Sequence, residues 1–239
     1  MSTIIVDTIQ PTVSGAYIDL NGTDIRESVN GNIGIGANTL PSVSGPNNIA
    51  IGDDALNALT TGDDNVAVGK QALISFTGTN SVAIGQLAGS TSTTGTNNVF
   101  IGRASLGSSA TASDEITLGN SSHTVIRAAV TTITSLSDAR DKKNIEESKY
   151  GLNLVESLKP VTFEWETRDG AKKDIKDLGF IAQDLKELDD DYLGLVYDEN
   201  PEKLEASYGR LIPVLVKAIQ EMSTEIKSLK EEIETLKNK

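Results

Sequence analysis

The sequence predicts a mainly β N-terminal half, built as a parallel β-solenoid, followed by an α+β C-terminal half that ends in a coiled-coil helix. Three observations support this fold class. A short motif recurs six times with a regular period between residues 32 and 119. The content of charge and glycine changes near residue 137. Apolar residues alternate four and three apart near the C-terminus.

The repeated motif is a turn-forming residue, an apolar–small–apolar stretch and a closing glycine. The closing glycines are 16, 17, 16, 17 and 17 residues apart, which indicates a solenoid. The copies are Asn32–Gly36, Asn48–Gly52, Asn65–Gly69, Ser81–Gly85, Asn98–Gly102 and the degenerate Glu115–Gly119.

Each coil is expected to contain two short strands. The first is the motif itself, and the second is an apolar pair such as Ala55-Leu56 or Ala72-Leu73. So thin a coil cannot bury its own apolar side chains. Stacking of coils closes the long axis, and lateral association of chains must cover the rest.

Composition excludes several classes of function. The net charge of −13 argues against a nucleic-acid or anionic-membrane partner. The chain has no cysteine, which excludes disulfides and thiolate metal sites, and His123 is its only imidazole, which argues against zinc catalysis and a Ser-His-Asp triad. We expect no cofactor and no metal, and Asp189–Asp191 is predicted to be a solvated loop.

The two halves differ in composition. Residues 1–137 carry 10 acidic and 4 basic side chains and 16 glycines, whereas residues 138–239 carry 24 acidic and 17 basic side chains and 5 glycines. In the second half, strands are expected near Val161–Glu166 and Asp177–Ala182. Helices are expected near Gly151–Ser157 and Ala182–Leu188, with a hairpin-like excursion at Thr167–Lys176.

The repeats at residues 32–119 resemble the head repeats of trimeric autotransporter adhesins, and phage tail fibres use similar repeats. The resemblance implies a β-roll made of three chains. A structural spacer is the favoured interpretation, because a receptor-binding face would show clustered aromatic residues. Under a trimeric arrangement, Val125, Ile126, Val130 and Ile133 of the following segment would pack at a threefold axis.

The C-terminal half resembles the intramolecular chaperone domain of phage tailspikes and tail fibres, the endosialidase-type auto-processing domain. Four blocks carry the resemblance in the family's order. They are Ser137–Ile145, Gly151–Trp165, Leu178–Leu185 and Ser207–Leu215.

This resemblance implies that the domain assists trimerisation and folding and then cuts itself off between Ser137 and Asp138. Carried over by position, Ser137 is the nucleophile and Lys142 the general base. Arg140 and Asn144 match the motif as supporting residues that hold the loop or polarise the scissile carbonyl.

The residues themselves are consistent with this chemistry. A serine hydroxyl needs a base, and lysine serves as one when burial disfavours its ammonium form. Asp141 is expected to keep Lys142 protonated, and Lys143 is an alternative base. The structural alternative is a solvated charge run in which Ser137 caps a helix and no cutting occurs.

The final segment shows a heptad pattern with isoleucine at a and leucine or methionine at d. Glutamates at g and lysines at e favour parallel helices in register. The a and d pattern alone favours two strands, whereas both resemblances imply three, and a homotrimer is predicted. The predicted trimerisation residues, which Leu215 precedes, are Ile219, Met222, Ile226, Leu229, Ile233 and Leu236.

The sequence therefore predicts a phage tail-fibre-like virion protein, made in the host cytoplasm, which acts as a single-turnover serine endopeptidase on itself if it is active. The alternative is an uncut fibre or adhesion protein with a permanent trimerisation clamp. A bacterial surface adhesin is a weaker third hypothesis, because no signal peptide or membrane anchor is recognised. Expected partners are the chain itself, other virion tail or baseplate proteins through the N-terminus, and possible host surface receptors.

Predicted domain bounds follow from these assignments. They are a leader or attachment cap at 1–31, β-roll repeats at 32–119, a neck at 120–137, the chaperone domain at 138–212 and the coiled-coil helix at 213–239. The leader is predicted to form a hairpin, with Ile4 and Val6 in one part and Tyr17, Asp19 and Asn21 in the other.

Overall fold

The computed structural model describes residues 17–19, 24–27, 30–129 and 133–238. The described residues form two compact units that divide between Thr124 and Val125. This division falls inside the predicted neck. The finer domain bounds predicted from the sequence stay predictions.

The N-terminal unit is a parallel β-solenoid, as the repeat predicted. The first described strands, β1 (Tyr17–Asp19) and β2 (Asp24–Glu27), are antiparallel, and β2 pairs antiparallel with β3 (Ile33–Ile35). From β3 onward all neighbours are parallel and in register, with one strand in each coil. These strands are β3 (Ile33–Ile35), β4 (Ile49–Ile51), β5 (Val66–Val68), β6 (Val82–Ile84), β7 (Val99–Ile101) and β8 (Ile116–Leu118).

The predicted leader hairpin is described only in part. Tyr17–Asp19 pairs with Asp24–Glu27, which is a later hairpin than the predicted one. The predicted segment around Ile4 and Val6 and the predicted residue Asn21 lie outside the described residues.

A ladder of buried polar side chains runs along the solenoid at the residue before each strand. Each side-chain oxygen accepts the backbone N–H of the member one coil further along, as from Asn65 N to Asn48 Oδ1 at 3.0 Å. The amide nitrogens donate to turn carbonyls, as Asn65 Nδ2 does to Gly78 O at 3.0 Å. The ladder fixes the register between coils, because a buried polar group without a partner is costly. Its members, at most 2% exposed, are Asn32, Asn48, Asn65, Ser81 and Asn98.

The turns after each strand use left-handed backbone. Gly69 has a φ of 134°, and a Cβ there would lie 2.5 Å from the carbonyl of Gly85 in the next coil, so only glycine fits. The following apolar pairs also lie in turns, with Leu56 at φ 49° and Leu73 at φ 51°. The prediction of a second strand in each coil is wrong, because a left-handed residue cannot continue a strand.

The small residue at the centre of each strand faces the solenoid interior. Ala50, Ala67 and Ala83 are fully buried and pack with the turn leucines. The branched residues on either side of each strand centre are half-buried or exposed, and Ile51, Ile84 and Ile116 are 36%, 44% and 73% exposed. An apolar face therefore remains open along the strands.

At one place in the solenoid, the large side chain lies on the strand and the small residue in the turn, which reverses the arrangement of earlier coils. Phe100 is buried where earlier strands have alanine, and Gly89 lies at the turn position that Leu56 and Leu73 occupy in earlier coils. Gly89 has a φ of 63°, and a Cβ there would lie 2.6 Å from Leu73 and 2.7 Å from the Phe100 ring. The glycine therefore makes room for the phenylalanine.

The C-terminal unit is α+β and ends in a long helix, as predicted. Its helices are α1 (Leu152–Ser157), α2 (Ala182–Lys186) and α3 (Leu211–Lys237), with 3₁₀ helices at Ala139–Asp141 and Tyr208–Arg210. Its antiparallel pairs are β9 (Val161–Glu166) with β10 (Lys173–Gly179) and β11 (Val196–Tyr197) with β12 (Glu205–Ala206). The core consists of Leu185, Leu193, Leu195, Leu211 and Val214.

The second strand of the first pair differs from its prediction. It was expected at Asp177–Ala182 and is found at Lys173–Gly179. Cross-strand pairing with β9 sets these bounds, from Lys173 opposite Glu166 to Gly179 opposite Val161. Phe180 N donates to the Tyr208 hydroxyl at 3.1 Å and not to β9, so the pairing of β9 with β10 ends at Gly179.

Replacing Asn65 by alanine is expected to lower the free energy of unfolding of the solenoid by about 2–4 kcal/mol, because Ser81 N–H and the Gly78 carbonyl each lose a partner in the interior. Hydrogen exchange of peptides from residues 32–119 measures this loss. Asn57→Ala is the matched control, since its amide makes one exposed bond to Asn38 O, and a loss of about 1 kcal/mol or less is expected. Equal losses in both variants would contradict a special role for the ladder.

Phe100→Ala is expected to cost about 3–5 kcal/mol, because it leaves a cavity in the solenoid. Gly89→Leu alone overpacks the same place. The double variant Gly89→Leu/Phe100→Ala restores the strand alanine and turn leucine of earlier coils. Its loss in free energy of unfolding should therefore be smaller than that of Phe100→Ala alone. The same exchange measurement tests this, and a double loss equal to the sum of the single losses would show that the two positions are not exchanged.

Candidate functional site

The predicted cleavage segment is folded as one tight turn. Asp138 is the N-cap of the 3₁₀ helix Ala139–Asp141, and its Oδ1 accepts the backbone N–H of Arg140 at 2.9 Å. Two backbone bonds close the turn, from Asp141 N to Asp138 O and from Lys142 N to Ala139 O, both at 3.2 Å. Asp138, and not the predicted Ser137, is therefore the cap, whereas the uncut, solvated charge run of the structural alternative stays a prediction.

Arg140 closes back onto the residue that follows the predicted cut. Its Nε and Nη2 donate to the two carboxylate oxygens of Asp138, with the shortest distance 2.6 Å from Nη2 to Oδ2. The Arg140 guanidinium and backbone N–H lower the pKa of Asp138, and the Asp138 carboxylate raises the pKa of Arg140. The Arg140 guanidinium and the Asp138 carboxylate therefore form a two-point contact within this turn.

The turn places Lys142 beside Ser137. Lys142 Nζ lies 2.7 Å from Ser137 Oγ and 3.4 Å from Ser137 O, the carbonyl of the predicted scissile bond. The base-to-hydroxyl distance is within the reach that proton transfer requires. Both residues are exposed in the single chain.

The other candidates in the segment do not join this contact. Within the described part of the chain, Lys143 Nζ and the Asn144 side chain make no hydrogen bond, and Asp141 forms no ion pair with Lys142. Asn144 has a φ of 53°, a left-handed conformation that asparagine tolerates. The geometry thus favours Lys142 over Lys143 as the partner of Ser137.

The segment after this turn is tied to helix α3 by contacts that the sequence did not predict. Glu147 forms an ion pair with Lys217, which lowers the pKa of Glu147 and raises that of Lys217. Glu221 Oε2 accepts Leu152 N–H at 2.7 Å at the start of α1. No sequence signal could reveal these contacts, because the partners are 69 and 70 residues apart.

The acidic run at 189–191 has a structural role in two of its members. Asp189 accepts Leu195 N–H and Val196 N–H, each at 2.9 Å. Asp190 accepts the Tyr150 hydroxyl, which lowers the pKa of Asp190. The prediction of a merely solvated loop missed these bonds. In the described ranges, no group of three or more His, Cys, Asp or Glu side chains is suited to hold a metal ion.

Helix α3 presents two faces. Leu211, Val214 and Ala218 are buried. The predicted trimerisation residues are 45–68% exposed, with Met222 the least and Leu236 the most. The 27 residues of the helix span about 40 Å, and this heptad face lies uncovered. None of the described helices is both long and apolar enough to cross a membrane.

Tyr150→Phe is expected to destabilise the C-terminal unit more at pH 7 than at pH 3. Asp190 has a folded-state pKa below its ordinary 3.8, so its contribution is present above pH 3.8 and is lost as the pH falls through the lowered value. Urea titration followed by fluorescence of Trp165, the chain's single tryptophan, measures the difference. Tyr192→Phe is the control, as Tyr192 is 83% exposed. A difference that does not shrink at pH 3 would contradict this account.

Comparison with known proteins identifies the segment that contains the Ser137–Lys142 contact. Residues 137–194 match the family described as the chaperone of endosialidase. No curated protein and no solved structure matches the chain. The match begins at Ser137 and includes the turn, α1, the β9–β10 hairpin and α2. Residues 137–194 are therefore similar to the chaperone of endosialidase, and a parallel β-solenoid precedes them in the N-terminal half.

Proposed function

We propose that this protein is a phage tail-fibre-like structural protein whose C-terminal domain drives homotrimer assembly and folding, and then releases itself by cutting the Ser137–Asp138 bond. The observation that carries the proposal is the 2.7 Å contact between Lys142 Nζ and Ser137 Oγ, inside the segment that matches the chaperone of endosialidase. In this function the mature protein is part of the virion tail and is made in the host cytoplasm.

Two uncovered apolar surfaces support self-assembly. One is the line of branched residues along strands β3–β8, where Ile33, Ile84 and Ile101 are 41–44% exposed. The other is the heptad face of α3, whose predicted trimerisation residues are exposed in the single chain. Contiguous exposed apolar surface marks an interaction site. A heptad pattern on a helix is best covered by identical helices.

The proposed reaction consumes one water molecule for each cut. The Ser137 hydroxyl gives its proton to neutral Lys142 and attacks a Ser137 carbonyl carbon. The C–N bond to Asp138 then breaks, and its nitrogen takes the proton back from Lys142, which becomes neutral again. Water hydrolyses the resulting ester, which leaves a carboxylate on Ser137 and an amine on Asp138. Attack by the Ser137 hydroxyl on the carbonyl of its own residue closes a strained four-membered ring. In a second route, water activated by Ser137 and Lys142 attacks the same carbonyl, and no such ring forms. Hydroxylamine distinguishes the routes, because it traps an ester as a hydroxamate.

Exposure of the pair explains how cutting would depend on assembly. Only a neutral lysine side chain can accept a proton. Desolvation favours this neutral form over the ammonium form. Ser137 and Lys142 are both exposed in the single chain. Burial by neighbouring chains would supply the missing desolvation, so that only assembled protein is cut.

The same exposure favours a second candidate function, in which the pair is never desolvated. The protein would then be an uncut virion fibre or adhesion protein, with a permanent trimerisation clamp at its C-terminus. Both functions leave attachment to tail or baseplate proteins to the N-terminus.

The first test compares intact masses of the wild-type chain and Ser137→Ala after denaturation. Wild type is expected to yield fragments 1–137 and 138–239, and the variant to stay whole, because it lacks the hydroxyl. Lys142→Ala is expected to stay whole, whereas Lys143→Ala is expected to be cut.

Light scattering before denaturation gives the oligomeric state of each variant. A wild-type chain that forms trimers yet stays whole would overturn self-cleavage and leave the permanent clamp. A cut chain that is monomeric throughout would overturn the link between cutting and assembly.

A further inference from the structure

We propose that Asp138 is a positioning residue for the Ser137–Lys142 pair, and that it acts through Arg140 by holding the turn that returns Lys142 to Ser137. The inference rests on the proposed function, because it concerns the rate of the same cut. It adds a role for the residue on the amine side of the scissile bond.

The spacing of the pair makes a turn necessary. Five residues of extended chain span about 17 Å, which is beyond the reach of a lysine side chain. In the structure, Lys142 Nζ nevertheless contacts Ser137 Oγ at 2.7 Å. The chain between them must therefore be folded back whenever the pair forms.

The backbone bonds of the turn are long. Asp141 N to Asp138 O and Lys142 N to Ala139 O are both 3.2 Å, at the upper end of the range for N–H···O bonds. They close a single 3₁₀ turn of three residues, exposed to water. Such a turn has poor hydrogen-bond geometry and little stability of its own.

The Asp138 carboxylate adds the bonds that the backbone lacks. Oδ1 accepts both the backbone N–H of Arg140 at 2.9 Å and its Nε at 3.0 Å. Oδ2 accepts Nη2 at 2.6 Å. One side chain thus fixes the backbone and the guanidinium of Arg140 together, and charge-assisted bonds to a planar guanidinium are directional.

The test measures the cutting rate of the full chain in cell-free translation, by intact mass over time, with the assembled fraction isolated on native gels. Asp138→Ala is expected to cut about 5- to 30-fold more slowly, as for the loss of a helix cap. Asp138→Asn should cut at an intermediate rate, because its Oδ1 still accepts the Arg140 N–H. Arg140→Lys should cut faster than Arg140→Ala, because the lysine keeps a positive charge that can contact the Asp138 carboxylate.

The double variant Asp138→Ala/Arg140→Ala decides whether the two residues act as one unit. If they do, it cuts no more slowly than the slower single variant, because the second change removes nothing further. Glu146→Ala is the matched control, an exposed acidic residue of the same segment with no hydrogen bond in the described chain, and it should cut at the wild-type rate.

Three results separate the possibilities. Assembled Asp138→Ala that cuts at the wild-type rate would overturn the inference. A double variant slowed by the product of the two single effects would overturn the claim that Asp138 acts through Arg140. A wild-type chain that is never cut would overturn the proposed function itself. Should Asp138→Ala fail to assemble, Asp138→Asn and Arg140→Lys carry the same comparison.

Discussion

The buried ladder of asparagine and serine is the interaction on which the solenoid depends. A coil of 16 or 17 residues buries little more than one alanine from its strand and one or two larger side chains from its turns. Apolar burial of this size cannot fix which coil sits on which. The ladder does so, because a shift of register would leave buried amides such as that of Asn65 without partners.

The same shortage of core explains the surfaces that the single chain leaves open. The strands alternate, so turning alanine inward places isoleucine and valine outward. In α3, burial of Leu211, Val214 and Ala218 uses one face of the helix and leaves the heptad face to water. Each unit is therefore folded but incompletely buried, which is the state expected of a chain completed by copies of itself.

Sequence reasoning succeeded where structure is local or periodic. The period of the glycines predicted the coils, and the position-by-position resemblance singled out Ser137 and Lys142, which the structure brings into contact. It failed at Leu56 and Leu73, whose left-handed backbone contradicts ordinary leucine preference and is imposed by neighbouring coils. It failed also for contacts such as Glu147 with Lys217, since only the tertiary fold brings those residues together.

The position of the Ser137–Lys142 pair suggests what assembly contributes to the proposed cut. The turn from Asp138 to Lys142 is local, so the contact forms within one chain and needs no partner for its geometry. What the single chain lacks is exclusion of water from the lysine. Assembly would then change the reactivity of Lys142 and leave the geometry of the pair unchanged. Because the proposed release of residues 138–239 would be irreversible, a cut made only after assembly would separate the solenoid from the proposed chaperone segment. The stability of the product would then become kinetic.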